Sequence, residues 1–345
     1  MADNLILPAD VQLKYLNEGA ANIVYNICSV SGLLNNNQKV DSKSPDSDAE
    51  FSNYANRLLR LRKNLPTTAP VRVSQSNWIN YISPLFHPDE IVQQSLVAIK
   101  PSGIISRLND ELRDLERSMH HAGSRRRAKS RQGTYLADDE FGLLITDMTP
   151  GHHSDVVIEF KPKWLSQSLS APSNSTRCRQ CAVNARLSAQ SESSGKYLAK
   201  TRKFCPLDLL SDNKNEIIRF VDNLLSPDIE QVYAQRFVDW IQDYSLLRRL
   251  GEIQARLDST GVLNADPLDK ELLIAMTLRD CTVFLRISKD SDKIEARIGD
   301  LDLKCATKIP SWKQKENQLI DGGWYQGNES ESYRQPNNCV LSRGR

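Results

Sequence analysis

No run of apolar residues in this chain approaches the length needed to cross a bilayer, which argues against a helical membrane span. The opening residues, Met1-Ala2-Asp3-Asn4, lack the charged-then-apolar pattern of a secretory leader. Cysteine is sparse, with seven residues among 345. An odd count without a leader argues for thiols in a reducing compartment rather than a disulfide framework. A strong charge imbalance is also missing. Lys plus Arg total 45 against 43 Asp plus Glu, a net charge of +2. Wholesale nucleic-acid binding is therefore not implied, and a basic site must be a local concentration. What is present is the balance of a soluble globular protein, 39% hydrophobic and 26% charged, long enough for two domains or one large bilobal one.

One basic concentration is Ser124-Arg125-Arg126-Arg127-Ala128-Lys129-Ser130-Arg131. A nuclear import signal, a nucleic-acid patch and a grip for substrate phosphates compete for it, against the plainer reading of a disordered basic loop. It carries no interleaved aromatics, which weakens single-strand binding. Leu33 to Asn53 is too polar to offset the entropy of ordering and reads as a floppy loop between strands. His152-His153 reads as a solvent-exposed pair. Cys178-Arg179-Gln180-Cys181 has the spacing of half a zinc site or a redox pair. No second ligand pair is evident near by, and Cys205 and His153 would have to be recruited by folding. Two free thiols on a helix is the default expectation, and zinc the lesser one. Residues from about Gln326 are polar and expected to fray.

The apolar pattern places the remaining elements. Tyr15 to Tyr25 runs from strand through the small residues Gly19, Ala20 and Ala21 into strand. That is either an ordinary hairpin or a turn whose N–H groups approach phosphate closely. Leu58-Leu59-Arg60-Leu61-Arg62-Lys63 alternates basic and apolar residues as a strand, and Ser76 to Leu115 is helical in flavour. Glu140 to Thr149 reads as a last strand and a connector. Val156-Val157-Ile158 ends a strand that leads into Glu159-Phe160-Lys161-Pro162-Lys163. If that strand continues, one carboxylate and two ammonium groups share a face, and Pro162 requires it to end there or lie on an edge. Helices are expected over Ile217 to Leu225 and from Pro227 to about Leu257, where Phe237, Trp240, Ile241 and Tyr244 form a core stripe. Pro267 to Thr277 reads as another helix. Asp280 and Asp300 then bracket a β-hairpin, whose ends lie close enough for the two carboxylates to share a pocket.

Several of these stretches resemble one family. Glu159 to Lys163 resembles the Glu-x-Lys-Pro-Lys signature of the inositol-pentakisphosphate 2-kinases, and Trp164-Leu165-Ser166-Gln167-Ser168 with Ser170-Ala171-Pro172 looks like its fungal branch. Glu18-Gly19-Ala20-Ala21-Asn22 is similar to the family's Gly-Glu-Gly-x-Ala-Asn loop, with Asn17 where the first glycine stands. Cys205-Pro206-Leu207-Asp208-Leu209-Leu210-Ser211 resembles its Asp-Pro-Leu-Asp-Leu-Phe-Ser segment. Ile274 to Cys281 and Asp300 to Lys304 look like its C-lobe signatures.

The resemblance implies an α/β (α+β) fold of two lobes, similar to inositol polyphosphate kinases and distantly protein-kinase-like. Residues 1–147 would form an N-lobe with a nucleotide-binding sheet and lid, residues 148–325 a C-lobe for inositol phosphate binding and catalysis, and residues 326–345 a polar tail. The implied reaction is transfer of phosphate from ATP, with Mg2+, to the 2-hydroxyl of inositol 1,3,4,5,6-pentakisphosphate, giving the hexakisphosphate. A monomer of the nucleus or cytoplasm is expected, with no membrane or nucleic-acid partner. Under the resemblance, Glu18, Gly19, Ala20, Ala21, Asn22, Arg60, Thr146, Asp147, Met148 and Glu159 serve the nucleotide. Lys161, Lys163, Arg131, Arg177, Lys304, Lys308 and Trp312 serve the substrate, with Arg127 an alternative to Arg131, Arg179 a neighbour of Arg177, and Trp312 in place of a tyrosine. Asp280 and Lys161 are the catalytic candidates, and Asp300 with Asp280 the magnesium ligands. Plant members hold a zinc ion in this lobe, through ligands that do not map onto this sequence. Three other readings remain: a non-catalytic polyphosphate-binding scaffold, favoured by the missing lid glycine; a basic nuclear nucleic-acid binder working through Arg125 to Arg131; and a small-molecule kinase with another substrate.

Overall fold

Strand alternation and helical periodicity assemble two sheets, each in its own body of the chain. The computed structural model describes residues 5–28, 53–117, 127–151, 155–193, 204–289, 291, 293–328 and 337–343. Most of the expected loop at 33–53, the histidines 152 and 153, and Arg125 and Arg126 lie outside the described residues. The chain divides into one unit of Met1–Asn80 with Val92–Asp147 and another of Tyr81–Ile91 with Met148–Arg345.

The first unit is a six-stranded sheet in the order β1-β5-β6-β4-β3-β2. Its strands are β1 (Leu5–Ile6), β2 (Gln12–Glu18), β3 (Asn22–Cys28), β4 (Arg57–Arg62), β5 (Gln94–Ala98) and β6 (Phe141–Thr146). All neighbours are antiparallel except β1 and β5. In β4 Leu59 and Leu61 are buried on one face, while the other carries the half-buried Arg60 and Arg62 together with the buried Leu58. Helix α1 (Val71–Asn77) contacts β5 and β6. Helix α2 (Ile104–Arg117) buries Ile104, Leu108 and Leu112, one apolar stripe packed with Ile23, Tyr25, Leu59, Leu61 and Val97. The expected helical stretch from Ser76 to Leu115 is thus interrupted. Gln94–Ala98 instead forms a strand that pairs with β6, in a register from Gln94 opposite Ile145 to Ala98 opposite Phe141.

The second unit holds the antiparallel sheet β7 (Val156–Phe160), β8 (Thr282–Ile287) and β9 (Ile294–Gly299), in that order. Around it lie α3 (Arg179–Ser193), α4 (Lys214–Leu224), α5 (Gln231–Asp243), α6 (Leu246–Arg256), α7 (Lys270–Leu278), α8 (Ile309–Asp321) and α9 (Val340–Arg343). Asn213 caps α4 through Asn215 N–H at 3.0 Å, and Asp269 caps α7 through Leu272 N–H at 3.0 Å. The helix expected from Pro227 to Leu257 is two, α5 and α6, broken at Tyr244-Ser245. Phe237, Trp240 and Ile241 are buried as expected, whereas Tyr244 lies past the helix end and is partly exposed. Tyr81–Ile91 also belongs to this unit: Ile91 bridges Ile298, and Glu90 accepts from Ile298 N–H at 2.8 Å.

The tail does not simply fray. Asn337 donates to the Thr176 carbonyl and hydroxyl at 3.3 and 3.2 Å, and Arg343 grips Asp208 at 2.7 Å and Glu216 at 3.0 Å. Two carboxylates brought together by α4 and the turn before it draw a polar sequence back onto the fold. Among the described residues, no helix is long and apolar enough to cross a membrane.

Candidate active site

Pro162 cannot donate to a strand ladder, and β7 accordingly stops at Phe160, on the edge of its sheet. Lys161 and Lys163 therefore stand on a turn rather than on a continued strand face. Lys163 adopts a left-handed backbone, φ +60°. A Cβ in that region costs about 1–2 kcal/mol, so the surroundings must impose it. The fully buried Gln254 of α6 does so. Its amide donates to the Lys163 carbonyl at 3.0 Å and the Leu278 carbonyl at 3.2 Å, and accepts from Leu165 N–H at 3.0 Å. One side chain thus fixes both the lysine turn and the end of α7, two residues before Asp280. Trp164 adds a second anchor. The guanidiniums of Arg179 and Arg279 stack on its ring at 4.3 and 3.6 Å, held in turn by Glu316 at 2.7 Å and Asp258 at 2.6 Å.

On this base, three ammonium groups converge on one carboxylate. Lys304 lies 2.6 Å, Lys163 3.4 Å and Lys161 3.6 Å from the oxygens of Asp280. Lys161 also donates to the Asp280 carbonyl at 2.7 Å and lies 3.8 Å from the carboxylate of Asp300. The β8–β9 hairpin makes this possible. Asp280 precedes β8, Asp300 follows β9, and Thr282 pairs with Gly299 between them. Asp300 is also left-handed, φ +57°, and accepts from the Thr282 hydroxyl at 2.6 Å. Burial alone would raise the Asp280 carboxyl, but the lysines, Lys304 foremost, overcome it and hold the group down at about 2. Glu159, paired with Phe284 across the sheet, is shifted the other way, by desolvation and by the nearby Asp300 carboxylate. Two neighbouring carboxylates, Glu159 and Asp300, are suited to a hard divalent cation.

Other candidates fall differently. Lys308 is exposed at the entry to α8, and Trp312 packs beside Trp164, Leu272, Met276 and Ile309. Lys315, absent from the expected set, is lowered by desolvation and by the charges of Arg179, Arg186 and Lys163, which places it by the same cationic cluster. Lys308, Trp312 and Lys315 recur at helical spacing, a signal the sequence did carry. Arg177 is a correction. It is 2% exposed, donates to the Trp324 carbonyl at 3.1 Å and has Gly327 against its guanidinium, so it braces the segment after α8 rather than standing open at the surface. Arg179 is likewise buried, serving Trp164 and Glu316.

In the first unit, β2 and β3 form the expected hairpin, closed by Gly19 N–H to the Asn22 carbonyl at 2.9 Å. Ala20 and Ala21 form its tip. Glu18, however, is turned inward rather than toward a ligand. Its carboxylate lies 2.6 Å from Lys63 and 3.0 Å from Arg127, in a knot where all three side chains are at most 4% exposed. Burial would raise this carboxyl, but Arg127 and Lys63 bring it below its ordinary range. Arg127 also pairs with Glu116 and donates to the Thr134 carbonyl at 2.7 Å. Its guanidinium is thus taken up by buried partners within this unit. Arg131 is half-buried and shows no such pairing among the described residues. The cation at the hairpin is Lys63, which donates to the Gly19 carbonyl at 2.8 Å and takes the Ala21 carbonyl on its backbone N–H at 2.8 Å. Arg60 sits within β4, opposite Val24 and Leu143. At the expected hinge, Thr146 N–H is bonded to the Gln93 carbonyl and Asp147 N–H to the Asn56 carbonyl, both at 3.0 Å, while Met148 is buried in the second unit.

Three lysines crowd around one aspartate, beside a second aspartate at the far end of the same hairpin. The family model described as Inositol-pentakisphosphate 2-kinase matches residues 15–318, and the chain belongs to that family. Relatives bearing the name inositol-pentakisphosphate 2-kinase include proteins of Yarrowia lipolytica, 27% identical over 53% of this chain and 56% of that protein, and Saccharomyces cerevisiae, 21% identical over 70% and 79%. A Kluyveromyces lactis protein of the same name is 31% identical over 47% of this chain and 48% of its own length. The chain spans little more than half the length of most of these relatives.

Proposed function

We propose that this protein transfers the γ-phosphate of ATP to the 2-hydroxyl of inositol 1,3,4,5,6-pentakisphosphate. The observation that carries the reading is the convergence of Lys161, Lys163 and Lys304 on Asp280, with Asp300 at the same ammonium. A substrate bearing five phosphates needs such dense cations, and few other small metabolites do. The second unit is read as the kinase C-lobe and the β-sheet unit as the nucleotide-handling N-lobe. In the free protein the three lysines neutralise Asp280. Arriving phosphates compete for those ammonium groups. As they turn to the substrate, the Asp280 carboxyl rises from about 2 toward its ordinary value and becomes a better acceptor for the hydroxyl proton. Lys161, between the two aspartates, neutralises the charge that builds on the transferring group. Asp300, with Glu159 beside it, fits a magnesium ion by its donor chemistry; when bound, that ion supplies charge neutralisation at the nucleotide phosphates.

The test is incubation of purified protein with ATP, Mg2+ and a panel of inositol phosphates, reading ADP and product. ADP formation limited to the pentakisphosphate, abolished by Asp280→Asn, supports the proposal. Tight pentakisphosphate binding in calorimetry without ADP would establish the scaffold instead.

A further inference from the structure

Thr277 is a polar residue in an otherwise apolar stretch. Helix α7 buries every residue from Leu272 to Leu278, and Thr277 among them is fully enclosed. A hydroxyl in such surroundings is costly unless it is hydrogen-bonded. Its hydrogen goes to the Leu273 carbonyl at 2.8 Å, one turn back along the helix. That bond spends the only donor, so the oxygen is left to act as an acceptor. What it accepts is the backbone N–H of Lys304 at 2.9 Å, from a residue 27 positions further along the chain.

Lys304 carries the ammonium nearest to the Asp280 carboxylate, at 2.6 Å. It stands outside any helix or strand, in the segment that leaves β9, so no ladder pairs its N–H. Leu301 is buried, and Leu303 packs against the cluster that holds Leu272, Leu273 and Met276. These contacts keep the segment on α7, but apolar contact is not directional. The heading of the Lys304 main chain is left to the Thr277 bond. The other member of the ion pair hangs from the same residue, since Asp280 N–H donates to the Thr277 carbonyl at 3.0 Å. Thr277 thus holds Asp280 through its carbonyl and Lys304 through its hydroxyl.

We propose that Thr277 is the positioning residue that sets Lys304 against Asp280, and that its hydroxyl thereby governs how tightly the site takes the substrate's phosphates. The ligand in this statement rests on the kinase reading; the placement of Lys304 does not. Only the hydroxyl is required, so serine serves in its place. Valine keeps the shape but offers no acceptor, and the Lys304 N–H must then turn toward water.

Crystal structures of Thr277→Val and Thr277→Ser without ligand test the geometry. Valine should carry the Lys304 ammonium beyond about 4 Å from the Asp280 carboxylate, the limit of an ion pair, and serine should leave it in place. Calorimetry and kinetics test the consequence. Thr277→Val should weaken pentakisphosphate binding and raise its KM by about tenfold, while the KM for ATP stays within about twofold. A residue that merely supports the fold would move both. Thr277→Ser should restore the wild-type values. The double variant Thr277→Val with Lys304→Ala should bind no worse than Lys304→Ala alone, because the first change has nothing left to misplace. Lys304 still paired with Asp280 in the valine structure, additive losses in the double variant, or an equal loss with serine would overturn the proposal. Wild-type protein that forms no ADP would instead remove the kinase reading, and the crystallographic comparison would still decide the role of Thr277. If the valine variant does not fold, Thr277→Ala, which also lacks the hydroxyl, takes its place in each measurement.

Discussion

Lys163 permits a test of the site's architecture separate from its charge. Lys163→Ala and Lys163→Gly remove the same ammonium, but only alanine keeps a Cβ in the left-handed conformation the Gln254 amide imposes. That Cβ costs about 1–2 kcal/mol. Glycine's looser unfolded chain costs about 0.5–1 kcal/mol relative to alanine. The Gly variant should therefore be the more stable by roughly 0.5–1 kcal/mol, reversing the usual order. In a body of this size that is about 2 °C in Tm. Both variants should weaken pentakisphosphate binding alike, by about 10–100-fold, the worth of one charge-assisted contact. Urea denaturation and calorimetry on the pair provide the measurement. An alanine variant as stable as the glycine variant would refute the claim that the turn is held under strain.

Gln254→Leu strands the Lys163 and Leu278 carbonyls and the Leu165 N–H, and should destabilise by about 3 kcal/mol or more in denaturant melts. Asp280→Asn tests the depressed carboxyl. A group held at about 2 against 3.8 contributes stability that is present above pH 3.8 and lost as pH falls through about 2. The stability gap between wild type and variant should therefore close across that window in acid titrations followed by circular dichroism. Arg127→Ala should cost about 3–5 kcal/mol because it removes a buried partner from Glu18 and Glu116 at once and leaves Glu18 with Lys63 alone, while Arg131→Ala should stay within about 0.5 kcal/mol in the same melts.

What could be read from the sequence followed local rules. The β8–β9 hairpin announced that Asp280 and Asp300 would meet, and Pro162 announced where β7 would stop. The alternation in β4 located its buried Leu59 and Leu61. What could not be read depended on distant partners. Arg177 and Arg127 look like any surface cation until the fold encloses them. Lys63 is one residue past the chosen Arg60, and only the hairpin pairing shows that it reaches Gly19. Gln254 carries no local signature at all. Cys339 is 134 residues from Cys205, and only folding brings its sulfur within 4.8 Å of those of Cys178, Cys181 and Cys205, so no spacing rule could join it to the pair at Cys178 and Cys181.

The knot of Glu18, Lys63 and Arg127 constrains how this protein can drift. Both cations depend on the one carboxylate: losing Glu18 leaves the buried Lys63 without a carboxylate partner, and losing either cation halves the compensation of Glu18 away from water. Descendant sequences should keep all three or exchange them together, and a lone replacement at any of these positions would mark a lineage in which the hairpin has taken another shape.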